Sequence, residues 1–165
     1  MRCTPCVVRQ VRETDGVATG GGARSDLVAR SLGEAECQCR LRESPIGRVV
    51  YLDGTLPTAL PVSYSLVGSV VMFHLDAEWG TVHAVVDQLA AFEVDDYDSE
   101  SRTGWTILVR GRCRRIDDHA DHWVPPVERL VPGDDGVVVG LDVDGIVGRQ
   151  IEPVTFPPGA LEPTR

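Results

Sequence analysis

The sequence predicts a mainly β protein, an antiparallel barrel of six or seven strands with two or three short helices. Three observations carry this. Short runs rich in Val, Leu and Tyr recur with turn dipeptides between them, at Asp53-Gly54 and Val67-Gly68. The strand-helix-strand alternation that builds parallel sheets is missing. Residues 104–115, Gly-Trp-Thr-Ile-Leu-Val-Arg-Gly-Arg-Cys-Arg-Arg, form a long strand after the acidic stretch Phe92-Glu93-Val94-Asp95-Asp96-Tyr97-Asp98. A strand of that length bends around a small barrel, with Gly111 placed for a bulge, and closure removes exposed sheet edges.

Residues 1–28 are polar and contain Gly20-Gly21-Gly22, so a flexible extension is expected there, followed by one domain over 29–155 and a tail over 156–165. Ser31 with Glu34 three residues on has the spacing of a capping box and predicts a helix through Arg42, ended by Ser44-Pro45-Ile46-Gly47. Strands are expected over Arg48–Leu52, Thr58–Ser65 and Ser69–Phe73, as a meander. The spacing of Trp79, Val82, His83, Val86 and Leu89 fits one face of a helix between Ala77 and Leu89. Ala90–Val94 and Trp105–Ile116 supply a second hairpin. Residues 117–135 are polar and contain prolines, which reads as loop with at most one turn of helix. A last pair, Val137–Leu141 and Ile146–Ile151, is expected to turn at Asp144-Gly145.

A chain of 165 residues has room for one domain with a real core. The formal charge of -9 argues against a nucleic-acid groove or an anionic membrane surface, since both need a basic footprint. The densest basic run, Arg110, Arg112, Arg114 and Arg115, alternates along a strand. No apolar run reaches the roughly 18 residues of a membrane span, and the first residues lack a charged-then-apolar leader pattern, so a cytoplasmic protein is expected. The five cysteines, Cys3, Cys6, Cys37, Cys39 and Cys113, are an odd number and favour reduced thiols. Cys3-Thr-Pro-Cys6 and Cys37-Gln-Cys39 together have the spacing of a zinc site. Two cysteines two apart on a helix point in different directions, however, so no metal is expected.

His119 and His122, among Asp117, Asp118 and Asp121, read either as a divalent-metal pair or as a solvated loop, and spacing fixes no third ligand. Glu93 turns away from the face of Phe92 and Val94. It is a cavity acid or the partner of Arg110 or Arg112 across the hairpin. Trp79 and Trp105 line a ring-binding pocket or pack in the core or a dimer contact. Nothing resembles a nucleophile elbow, a phosphate loop or a glycine-rich dinucleotide turn.

Four segments carry a family resemblance: Glu-Ser-Pro-Ile-Gly-Arg-Val-Val-Tyr-Leu-Asp-Gly (43–54), Leu-Pro-Thr-Ala-Leu-Pro-Val-Ser-Tyr (56–64), Ala-Phe-Glu-Val-Asp-Asp-Tyr-Asp (91–98) and Arg-Thr-Gly-Trp-Thr-Ile-Leu-Val-Arg-Gly-Arg (102–112). From Glu43 to Ile151 the chain resembles the pyridoxamine 5'-phosphate oxidase-like FMN-binding split barrels, especially the short actinobacterial members related to nitroimidazole reductases. The resemblance implies a split β-barrel and a homodimer with two flavins at the subunit interface. It further implies a flavin-type oxidoreductase that uses FMN or a related cofactor on a small organic substrate. Ser63, His74, Trp79 and Trp105 are the implied cofactor contacts, and His74 is the implied catalytic acid or base near neutral pH.

One segment departs from that pattern. Such proteins commonly carry Phe-Arg-Thr and then Gly-Ser-Lys, whose Arg and Lys bind the phosphate. Here the register reads Phe73-His74-Leu75-Asp76-Ala77-Glu78-Trp79-Gly80, with both cations replaced. Each charge-assisted hydrogen bond contributes about 1.5–3 kcal/mol, so FMN in its usual pose loses roughly two to four decades of affinity unless His74, His83 or the Arg110 to Arg115 run reaches the phosphate. A second reading therefore stays open: a cofactor-free descendant whose former flavin pocket binds a small apolar molecule, as an isomerase, cyclase, lyase or binding protein. A structural or regulatory dimer is the third.

Overall fold

The computed structural model describes residues 25–76, 81–116, 130 and 136–155. In chain order the elements are β1 (Ser25–Leu32), α1 (Glu34–Glu43), β2 (Ile46–Asp53), β3 (Leu56–Val67), β4 (Val70–Asp76), α2 (Thr81–Val85), β5 (Leu89–Asp98), β6 (Thr103–Arg115) and β7 (Gly136–Thr155). The strands form one antiparallel sheet in the order β1-β7-β4-β3-β2-β5-β6, and β6 pairs again with β7. Six strands are thereby closed into a barrel. β1 is added along the C-terminal part of β7, from Leu32 opposite Gly148 to Ser25 opposite Thr155. The expected split-barrel class is the one observed.

Period-two alternation sets the two faces of the barrel wall. Gly47, Val49 and Tyr51 of β2, Phe92 and Val94 of β5, Ile107, Val109 and Cys113 of β6, and Val139 and Leu141 of β7 are buried. Phe92 is the hub of this core. Its ring meets Tyr64 edge-on at 4.8 Å and stacks near Phe73 at 5.8 Å. A side chain at Gly47 would collide with that ring, which accounts for the glycine. Helix α1 packs against the barrel through Cys37 and Leu41, and the Tyr64 hydroxyl donates to the Leu41 carbonyl at 2.7 Å. Burial pushes the Tyr64 phenol well above its ordinary pKa.

The Asp53-Gly54 and Val67-Gly68 signals are hairpin turns. Each leaves a two-residue loop whose first residue is a glycine at positive φ, 61° for Gly54 and 59° for Gly68. Glycine at that position is the mark of a type II′ turn, whose twist matches the flanking strands.

Several expected elements differ. Ser31 is not a helix cap; it lies on β1, opposite Arg149. Helix α1 starts one turn fragment later, with Gly33 as N-cap, and Glu36 supplies the reciprocal bond by accepting from the Gly33 amide at 2.8 Å. The pairing edge of β7 captures the residues that local capping chemistry assigns to the helix. α2 has five residues instead of the expected span to Leu89. Asp87 at φ 64° breaks it, and the Asp87 amide and Gln88 carbonyl bond to the two backbone groups of Cys113 on β6, so Leu89 starts a strand.

The largest difference is β7. The turn expected at Asp144-Gly145 does not form, and one strand of 20 residues runs through it. Arg110 faces Gly145 and Gly111 faces Val143, so Asp144 is the extra residue of a β-bulge. Both flanks of the Asp-Gly pair bond to the same strand, β6, and the flexible dipeptide bends the chain without reversing it. Gly111 is at the bulge as expected, but on the strand opposite the extra residue.

Candidate functional site

The outward positions of β2, β5 and β6 mix charged residues, among them Arg48, Glu93, Arg110 and Arg112, with apolar ones, Val50, Leu52, Leu89, Ala91 and Leu108. In register, Val50, Ala91, Arg110 and Gly145 form one row across β2-β5-β6-β7. Leu52 and Leu89 extend it on one side, exposed at 60% and 69%. On the other side Arg48, Glu93, Leu108 and Val147 form the next row. Leu52, Leu89, Leu108 and Val147 are exposed apolar side chains on this face, interleaved with the charged residues.

A cavity of about 480 Å³ opens on this face, with Val50, Leu52, Pro57, Leu89, Ala91 and Arg110 among its lining residues and the bulge residues Asp144 and Gly145 at one wall. That volume lies in the range of small-molecule sites. A neighbouring recess of about 500 Å³ shares Leu52 and Leu89 and adds His83, Gln88 and Arg112. The α2–β5 junction forms its wall and is pinned where the Arg112 guanidinium donates to the Asp87 carbonyl at 2.7 Å.

The charges on this face are almost all compensated. Arg48 donates to Glu93 at 3.0 Å and to Asp95, which raises its already high pKa. Glu93 therefore pairs with Arg48 of β2, not with Arg110 or Arg112 as its hairpin position suggests. The register explains it, because Arg48 is directly opposite Glu93. Arg114 pairs with Asp142 at 3.1 Å. Arg110 makes no hydrogen bond or ion pair among the described residues.

The residues singled out from the sequence are divided between two places. Ser63 and His74 are half-buried and sit on adjacent strands, next to the paired residues Tyr64 and Phe73. Both alternate with core residues and so face outward, His74 between the buried Phe73 and Leu75. Ser63 is opposite Ile46, and Leu52 stands six residues further along β2, so this pair is roughly 20 Å from the far wall of the groove along the strand. Trp105 is elsewhere. It packs against the core on the inner face, with the Arg40 guanidinium 5.1 Å above its ring and Arg40 donating to Gln150 at 2.7 Å. Trp79, Cys3, Cys6, His119 and His122 lie outside the described residues. Cys37 and Cys113 are buried and Cys39 partly so, and no group of three metal-binding side chains exists among the described residues. Burial, with Asp142 nearby, pushes the Cys113 thiol up to about 12, which keeps it an inert core group.

Arg110, Arg112 and His83 are residues the sequence singles out, whereas the apolar lining of the groove, Val50, Leu52, Leu89 and Ala91, is not among its candidates. Their signal was present: Arg48-Val49-Val50-Tyr51-Leu52 and Leu89-Ala90-Ala91-Phe92 are apolar on both faces where a one-sided strand alternates.

Residues 33–147, which hold α1, all of β2–β6 and more than half of β7, match the family model described as pyridoxamine 5'-phosphate oxidase. The chain belongs to the pyridoxamine 5'-phosphate oxidase family. Within reach of that family it is similar to an uncharacterized protein of Mycobacterium tuberculosis, Rv0080, with 34% identity over 77 residues, or 44% of this chain and 51% of that one. The chain thus spans about half the length of the curated relative it matches. Among solved structures, the FAD binding protein from Mycobacterium smegmatis superposes with a TM-score of 0.59 at 25% identity, covering 74% of this chain and 98% of that one. An FAD-binding protein from Mesorhizobium loti gives 0.58 at 17% identity over 77% and 99% of the two chains, which speaks for the fold. No helix among the described residues of this family member is long and apolar enough to cross a membrane.

Proposed function

We propose that this protein is a flavin-binding oxidoreductase that acts on a small organic molecule as a homodimer. The observation that carries the reading is the groove of about 480 Å³ on the outer face, lined mostly by apolar side chains, in a member of this family. A flavin needs a flat apolar seat, and Val50, Leu52, Leu89 and Ala91 supply one, so the residues present fit the group. FAD-binding proteins of the same fold support the choice. A bound flavin supplies two-electron chemistry toward the substrate. The chain's own part is to seat the ring and exclude water along the groove. Ser63 and His74 lie about 13 Å or more along the strands from Val50, outside the groove lining, so no proton step on a ring seated there is assigned to them. Trp105, under Arg40, is assigned to packing. Exposed Leu108 and Val147, opposite each other on β6 and β7, belong to the proposed dimer contact.

The test is an absorbance spectrum of the purified protein, a titration with FMN and FAD, and a light-scattering mass. Micromolar flavin binding by a dimer is expected; a colourless protein that binds neither flavin sinks the reading. One observation favours the alternative of a cofactor-free descendant that binds a small apolar molecule: the end of β4 presents His74, where the resemblance implies an arginine. On that reading the wild type binds no flavin, and His74→Arg with Gly80→Lys creates FMN binding.

A further inference from the structure

We propose that Arg110 holds the anionic end of the groove's ligand, a flat apolar molecule that carries a phosphate or carboxylate, so that the cation missing from the end of β4 is supplied by β6. The inference rests on the flavin reading and deepens it.

Arg110 stands in the middle of the apolar row, between Ala91 of β5 and Gly145 of β7, and lines the cavity itself. Its neighbours on the outer face are spoken for: Arg48 by Glu93 and Asp95, Arg112 by the Asp87 carbonyl, Arg114 by Asp142. Arg110 has no such partner among the described residues, although Asp144 lines the same cavity. In a chain with a net charge of -9, a guanidinium left unpaired at an apolar cavity is available for an anion from outside.

The bulge creates the room. Gly145 has no side chain, and the Arg110 Nη2 atom is 3.8 Å from where its Cβ would be, so the guanidinium lies over the bare backbone of the bulge. Val50, Leu52, Leu89 and Ala91 form the apolar floor next to it. An apolar floor beside one guanidinium selects a molecule with one flat apolar part and one anionic group, and the planar fork of arginine suits phosphate and carboxylate oxygens. Arg112, held in the adjoining recess, adds positive potential without being free to turn.

The experiment measures FMN and riboflavin affinities for the wild type, Arg110→Gln and Arg110→Lys. These flavins differ by the phosphate alone. Arg110→Gln is expected to weaken FMN about 10- to 100-fold and to change riboflavin less than about twofold, with Arg110→Lys in between for FMN. Arg110 is exposed, so the variants keep the fold, and unchanged circular dichroism and melting check this. If the wild type binds FMN and Arg110→Gln binds it equally well, or loses FMN and riboflavin alike, the anion assignment is overturned while the flavin reading stands. A wild type that binds neither flavin overturns both.

Discussion

Gly111→Ala probes the bulge that shapes the groove. A methyl group there would run into the backbone carbonyl oxygen of Asp142 on β7 and come within 3.1 Å of Leu141 Cδ2. A side chain can rotate away from such an intrusion, but a ladder carbonyl cannot, so β6 and β7 must separate at Gly111. Overpacking costs about 1–3 kcal/mol, and an obstruction made of backbone belongs in the upper half, about 2–3 kcal/mol. At about 2–4 °C per kcal/mol for a chain of this size, the melting temperature falls by roughly 4–12 °C. Gly145→Ala is the internal control across the same bulge. Its added carbon meets only the tip of Arg110, at ordinary contact distance, and its φ is not in the left-handed region, so a change within about 0.5 kcal/mol is expected. Scanning calorimetry and urea unfolding followed by tryptophan fluorescence measure both variants. A Gly111→Ala protein as stable as wild type, or a Gly145→Ala protein equally damaged, would refute the view that backbone approach dictates this glycine.

Three other outcomes are expected. Phe92→Ala removes a fully buried ring that contacts Tyr64 and Phe73 and should lower the unfolding free energy by about 3–5 kcal/mol in urea titrations; a loss below about 1 kcal/mol contradicts its role as hub. The Glu36 carboxyl is held below its ordinary value of 4.5, first by the Gly33 amide and then by Arg30, so its contribution is present at neutral pH and is lost as the pH falls through the folded value. Glu36→Gln should therefore melt below wild type at pH 7 and match it in acid, and a gap that persists in acid counts against the cap. Leu108→Arg places a cation opposite Glu93, which a lone protomer tolerates and an apolar self-contact does not; light scattering should show monomer, and an undisturbed dimer removes Leu108 from the interface.

The strands were legible because alternation and turn chemistry are local properties repeated along the chain. Tyr64, Phe73, Phe92 and Val109 each occupy the inward parity of an apolar strand, and Gly54 and Gly68 mark turns that only glycine makes cheaply. The site was less legible. Of the residues the resemblance implies, Ser63 and His74 lie side by side but outside the groove lining, and Trp105 is turned inward under Arg40. Val50, Ala91 and Arg110 come from three strands, and nothing in their separate neighbourhoods says that they share a row.

By itself the sequence determined most of the strands, the two tight hairpins and the family, because each is written in residue identity and short spacing. Tertiary structure alone decided that Ser25–Leu32 is a strand, that Asp144-Gly145 bends β7 without reversing it, and that Arg110 stands unpaired over an apolar groove. The reason is the same in all three. Each depends on which distant strand takes up the backbone hydrogen bonds, and pairing partners far apart in the chain are chosen by the closed barrel as a whole.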